Sequence, residues 1–227
     1  MSSSSRTRLL ERLRRRGIRD ERVLTAIARV PREAFVPEEL RDSAYADNAL
    51  PIGYGATISQ PTMVARLLQE LALKGGERVL DVGTGSGYQA AVLAELAAEV
   101  VSIERVPELA VQARARLAAS GYADVEVHVG DGTLGVPERA PYDAIAVAAA
   151  APEPPPPLYG QLAPGGRLAV PVGGRRGQRL EIVSRSESGP AVVHSISCRF
   201  VPLIGEAGFA PARWKDRSRS DRGGPRC

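Results

Sequence analysis

The ten residues from Val79 to Tyr88 join an apolar strand to three glycines at alternate positions, Gly83, Gly85 and Gly87, with an acid, Asp81, just ahead of them. Glycines so placed permit positive φ and remove the Cβ atoms that would keep a ligand off the backbone. The amides opening the alanine-rich helix that follows form a polar, weakly positive rim. A dinucleotide fingerprint spaces its glycines G-x-G-x-x-G, whereas here the third comes one residue early. A carboxylate beside the turn favours a ligand carrying cations, and the ammonium and sulfonium of S-adenosylmethionine suit it better than a pyrophosphate does. A tight strand-to-helix turn without a ligand is the alternative reading.

Two further acids follow at strand ends. The run Glu99 to Glu104 reads as a buried parallel strand, and in a doubly wound sheet its carboxyl end lies beside the glycine turn, where Glu104 can accept hydrogen bonds from both hydroxyls of a ribose. Val125 to Val129 runs into Gly130-Asp131-Gly132, where Asp131 can take an adenine amino group and Gly132 lets the backbone come close.

The elements that must position these residues alternate strand and helix. An N-terminal piece carries a short helix through Leu9 and Leu13 and a second helix capped by Asp20. Tyr45 to Gln60 is too punctuated for a regular element and reads as a loop over the site. Val64, Leu67, Leu68 and Leu71 give helical spacing from Pro61. Beyond the glycine turn come a helix from Gln89 to Ala97, one from Pro107 to Ala119, and strands Tyr142 to Ala148 and Gly166 to Val172. Arg179 to Ser184 and Ala191 to Phe200 should pair antiparallel. The fold expected is α/β: a Rossmann-like, doubly wound, mostly parallel seven-stranded sheet with helices on both faces and antiparallel C-terminal strands. The organisation expected is a helical extension and active-site loop over residues 1–60, a core over 61–209 and a basic disordered tail over 210–227.

The chain has 227 residues, 44% hydrophobic, with a formal net charge of +4. That charge sits at the ends: residues 210–227 alone contribute +4 and residues 1–19 another +6, leaving −6 on residues 20–209. A body of that sign is a poor host for a nucleic-acid duplex, whose affinity comes largely from phosphate neutralisation. No apolar run is long enough for a bilayer and the start lacks a secretory core, so a cytoplasmic protein free of membrane is expected; a monomer is the expected state, although nothing in the sequence reports it. Cys198 and Cys227 match neither a disulfide framework nor a metal cluster, and no metal is expected.

Four stretches give the chain a more specific likeness: Arg15 to Asp20 with Val30 to Pro37, Gly55 to Pro61, Val79 to Tyr88, and Arg199 to Gly205. Over nearly all of Leu9 to Phe209 it resembles the protein-L-isoaspartate O-methyltransferases, S-adenosylmethionine-dependent repair enzymes acting on isoaspartyl residues of damaged proteins and peptides. Thr57-Ile58-Ser59-Gln60-Pro61, upstream of the glycine motif, carries the isoaspartate part of the likeness. The resemblance places the family's catalytic serine on Ser59, and cofactor contacts on Ala56 and Thr57 besides Asp81, Gly83, Gly85, Gly87, Glu104, Asp131 and Gly132. It places peptide contacts on Thr57, Ile58, Ser59, Val201, Pro202 and Leu203, the last three through the main chain. From its residues alone, Ser59 reads as well as an N-cap for the helix at Pro61. The chemistry implied asks little of side chains, because an isoaspartyl α-carboxylate is already ionised at neutral pH and needs no general base. The methyl ester then closes spontaneously to a succinimide, which opens partly to normal aspartate. Thr62, Val64, Ala148 and Ile204 depart from the family pattern. A methyltransferase acting on RNA or a small molecule is the alternative reading.

Overall fold

The computed structural model describes residues 2–174 and 177–211. Two helices open the chain, α1 (Ser2–Arg15) and α2 (Glu21–Arg29). Asp20 caps α2 as expected, its carboxylate accepting from the amides of Arg22 and Val23. After two 3₁₀ turns comes a small antiparallel ribbon, β1 (Leu50–Gly53) and β2 (Ala56–Ile58). This corrects the expectation of an irregular loop. Tyr54 and Gly55, at φ 53° and 74°, make the two-residue turn that suits a hairpin's twist, so the punctuation is the signature of a ribbon.

Next come α3 (Pro61–Leu71), β3 (Arg78–Val82), α4 (Tyr88–Ala94), β4 (Glu99–Glu104), α5 (Pro107–Ala119), β5 (Glu126–Val129) and β6 (Tyr142–Val147). The chain continues through α6 (Pro156–Gly160), β7 (Leu162–Gly174), β8 (Gly177–Ser186) and β9 (Gly189–Cys198). One seven-stranded sheet runs in the order β5-β4-β3-β6-β7-β8-β9, parallel through β7 and antiparallel beyond. Val79, Leu80 and Val82 of β3 are fully buried, as a central strand covered on both faces requires. The fold is thus the one read from the sequence, with α4 ending three residues short of Ala97.

The N-terminal helices share the core. Leu9, Leu13, Ile18 and Ile27 belong to the same buried cluster as Leu67, Val79 and Tyr88. The tail from residue 212 onward lies outside the described residues.

Candidate active site

The carboxyl ends of β3, β4 and β6 open on a cleft with about 1020 Å³ of space not filled by protein atoms. This is where a doubly wound sheet binds its ligands. The glycine turn forms its floor. Gly83, Gly85 and Gly87 all adopt positive φ, at 92°, 52° and 91°. The turn is held to its neighbours by Gly83 N–H donating to the Ile103 carbonyl (2.9 Å) and Ala148 N–H to that of Val82 (2.9 Å).

Glu104 lies beside this floor, nearly buried. Its Oε2 accepts from the Gly85 amide and its Oε1 from the Val106 amide, both at 2.9 Å. The two bonds fix the carboxylate plane and leave further lone pairs for a ligand in the cleft. Gly132 also lines the cleft, and a Cβ there would stand 2.8 Å from Val82 Cγ1. Only glycine lets that backbone pass so close.

Three residues assigned to the cofactor from sequence do not line the cleft. Asp81 is fully buried behind the turn, where its carboxylate accepts from Gln89 Nε2 and Ser102 Oγ at 2.8 Å each. Ser102 Oγ in turn lies 2.5 Å from Thr84 Oγ1, which completes a polar chain beneath the glycines. Gly87 serves packing as well as φ, since a Cβ there would lie 3.2 Å from Leu117 Cγ on α5. Asp131 is turned to the chain's own backbone. Its Oδ1 accepts from the Thr133 amide and hydroxyl, its Oδ2 from the Glu206 amide, which pins the segment carrying the opposite wall. Partial burial works to raise its pKa, but these donors outweigh it and hold the carboxyl below its ordinary value.

Gln89 was not among the sequence candidates, yet it lines the cleft. With Nε2 committed to Asp81, its Oε1 is buried without a hydrogen-bond partner among the described residues. A carbonyl left so asks for a donor from a ligand. That group is what the amino-acid ammonium of S-adenosylmethionine can satisfy, so the residues present fit that cofactor. A glutamine next to Tyr88 in an apolar helix was the only available signal.

Burial raises the pKa of Asp81 from 3.8 to about 6, with Glu104 adding to the rise and the bonds from Gln89 and Ser102 opposing it. A carboxyl so shifted keeps its proton in the folded state after the unfolded chain has lost it. This group's contribution to stability is therefore most favourable below pH about 4 and declines as pH rises to about 6. Asp81→Asn keeps an acceptor and removes the ionisation. It is expected to raise stability at pH 7 by on the order of 2 kcal/mol, a gain that vanishes in denaturant melts near pH 4.

The roof comes from the ribbon. Ala56, Thr57, Ile58 and Ser59 line the cleft from β2 and its exit, facing Val201, Pro202 and Leu203 on the other wall. Ser59 is not the helix cap: Gln60 holds that position, and Asp47 receives the Thr62 amide and hydroxyl at 2.9 and 2.7 Å. Among the described residues the Ser59 hydroxyl makes no hydrogen bond, while its carbonyl accepts from Arg32 Nη2 at 2.7 Å. Arg32 is completely buried, gives Nε to the Ala44 carbonyl (2.8 Å) and lies 4.7 Å from the Tyr88 ring centroid. Burial lowers its pKa from the ordinary arginine value.

The opposite wall is less open to a peptide than expected. The Val201 carbonyl and Leu203 amide are bonded to Ala150 at 2.7 Å each, and the Leu203 carbonyl to the Phe209 amide. Among the described residues, the Pro202 carbonyl and Ile204 amide carry no backbone hydrogen bond. Of the departures from the family pattern, Val64, Ala148 and Ile204 line the cleft, while Thr62 is engaged with Asp47.

The chain is similar to known proteins of one family along most of its length. The sequence profile of the protein-L-isoaspartate(D-aspartate) O-methyltransferase family matches residues 4–208. Protein-L-isoaspartate O-methyltransferase 2 of Marinobacter nauticus is 57% identical over 196 residues, covering 86% of this chain and 90% of the relative. The Roseiflexus protein-L-isoaspartate O-methyltransferase is 49% identical over 215 residues, covering 95% and 99%. A solved structure described as a Plasmodium falciparum protein-L-isoaspartate O-methyltransferase in complex with S-adenosyl-L-homocysteine superposes with a TM-score of 0.77 at 29% identity, over 86% of this chain and 96% of that one. With the likeness running from α1 through the segment beyond β9, and taking in the ribbon as well as the glycine turn, the chain belongs to the protein-L-isoaspartate(D-aspartate) O-methyltransferase family.

Proposed function

We propose that the protein transfers a methyl group from S-adenosylmethionine to the free α-carboxylate of L-isoaspartyl residues in proteins and peptides, and so initiates their repair. The observation that carries this reading is the family match across residues 4–208, joined to a cleft that Ser59, the glycine turn and Glu104 all line. S-adenosylmethionine, when bound, supplies an already activated methyl on a sulfonium.

What the chain supplies is placement. The Glu104 carboxylate accepts from ribose hydroxyls, the Gly83 and Gly85 backbone lies against the ligand, and Gln89 Oε1 accepts from its ammonium. The Ser59 hydroxyl donates to one oxygen of the acceptor carboxylate and fixes the direction of the other. Arg32 holds the Ser59 backbone while this happens. Ile58, Leu203 and Ile204 exclude water, which would otherwise solvate the carboxylate and blunt it as a nucleophile. No proton needs to leave the acceptor, so no general base is needed.

In this reading residues 1–60 form an extension and active-site roof, and residues 61–209 the methyltransferase core. The protein acts as a cytoplasmic monomer on proteins rather than nucleic acid. The net −6 of residues 20–209 supports the last point, and no helix among the described residues is long and apolar enough to cross a membrane. Methyl transfer from labelled S-adenosylmethionine to two peptides, identical but for isoaspartate or aspartate at one site, tests the assignment. Labelling confined to the isoaspartyl peptide is expected; equal labelling overturns it.

A further inference from the structure

A second groove adjoins the cleft and shares Thr57, Ser59 and Val201 with it. It continues past them to Gln60, Met63, Arg199 and Phe200. If Ser59 receives the isoaspartyl carboxylate, the neighbouring part of the substrate chain has this groove to enter, and the inference rests on that reading.

Among the described residues, Arg199 is the only charged one lining the groove. It is exposed, and among the described residues its guanidinium makes no hydrogen bond or ion pair. Most other arginines of the body are tied down: Arg29 to Glu95, Arg78 to Glu99, Arg139 to Glu99 and Glu126. The backbone that follows Arg199 is tied by hydrogen bonds. The Gln178 side chain takes the Phe200 amide on Oε1 (2.6 Å) and gives Nε2 to the Phe200 carbonyl (3.1 Å), and Val201 is bridged to Ala150. A clamped stem with an unpaired cation suits a recognition group better than a solvated surface residue, because little of the base's freedom is lost on binding. On a body of net −6, an unpaired arginine at this groove is also a local reversal of sign.

We propose that Arg199 sets substrate preference by pairing with a carboxylate side chain on a residue flanking the isoaspartate, so that isoaspartyl peptides with an acidic neighbour are favoured over those with a basic one. The groove's remaining wall, Ala49, Met63 and Phe200, accommodates the methylenes of a glutamate while the head group reaches the guanidinium.

The test uses isoaspartyl peptides carrying Glu, Gln or Lys on either side of the isoaspartate, assayed with the wild-type protein, Arg199→Gln and Arg199→Glu. Arg199 lies outside the methyl-transfer machinery, so turnover on the Gln peptide should be kept. For the wild type, kcat/KM should favour Glu over Lys by about three- to fivefold at one flanking position, expressed in KM and shrinking in high salt. Arg199→Gln should erase the preference and Arg199→Glu reverse it. The same peptide order in all three proteins overturns the proposal while leaving the methyltransferase reading intact. Failure of the wild type to methylate any isoaspartyl peptide would instead strike at the reading itself.

Discussion

Ser59→Ala is expected to lower kcat on an isoaspartyl peptide by about a hundredfold while leaving cofactor affinity within about twofold. The hydroxyl has no partner among the described residues, so its removal orphans nothing and stability should scarcely change. What is lost is one donor to the acceptor carboxylate. A carboxylate held at one oxygen presents the other in a fixed line, and one held at neither samples many directions, few of them collinear with the breaking bond. The expected pattern is a fall in kcat larger than the rise in peptide KM, read from initial rates with labelled cofactor, beside an unshifted thermal midpoint. Wild-type turnover would reduce Ser59 to a wall residue.

Glu104→Gln should show the converse. An amide in place of the carboxylate must turn an NH₂ toward either the Gly85 or the Val106 amide, donor against donor, and it replaces an ionised acceptor with a neutral one. Bonds to charged groups contribute about 1.5–3 kcal/mol each. Loss of one such contact corresponds to a ten- to hundredfold rise in the cofactor dissociation constant, measurable by titration calorimetry. At saturating cofactor, kcat should recover to within a few-fold of wild type. An unchanged dissociation constant would show that ribose recognition lies elsewhere.

What could be read in the chain beforehand was what is written locally. Glycines at alternate positions after an apolar strand, and an acid ending the next strand, are contiguous signals, and Gly83, Gly85, Glu104 and Gly132 duly meet at one cleft. Asp81 shows the limit of such reading. Its type promised a ligand contact, but the polar side chains of Gln89 and Ser102 converge on it from two other elements and draw it inward, which no spacing within residues 79–88 reveals. Asp131 is engaged by the chain's own backbone for a similar reason, since its partners include Glu206, 75 residues away. Arg32 and Asp47 went unassigned for the same reason. A charged residue looks solvated in sequence until a distant carbonyl, or a helix start 15 positions on, claims it. Gly53, Tyr54 and Gly55 read as breaks in the sequence, whereas the pairing of β1 with β2 makes them a turn.

That ribbon has an evolutionary consequence. A methyl group at residue 85 would stand 3.3 Å from Ile52 Cδ1, so the ribbon's Ile52 packs against the floor of the cleft at the glycine. Residue 52 can change only within the room that the glycine leaves. A side chain at residue 85 would meet Ile52 and would also strain a backbone held at φ 52°, so the glycine is kept whatever occupies residue 52.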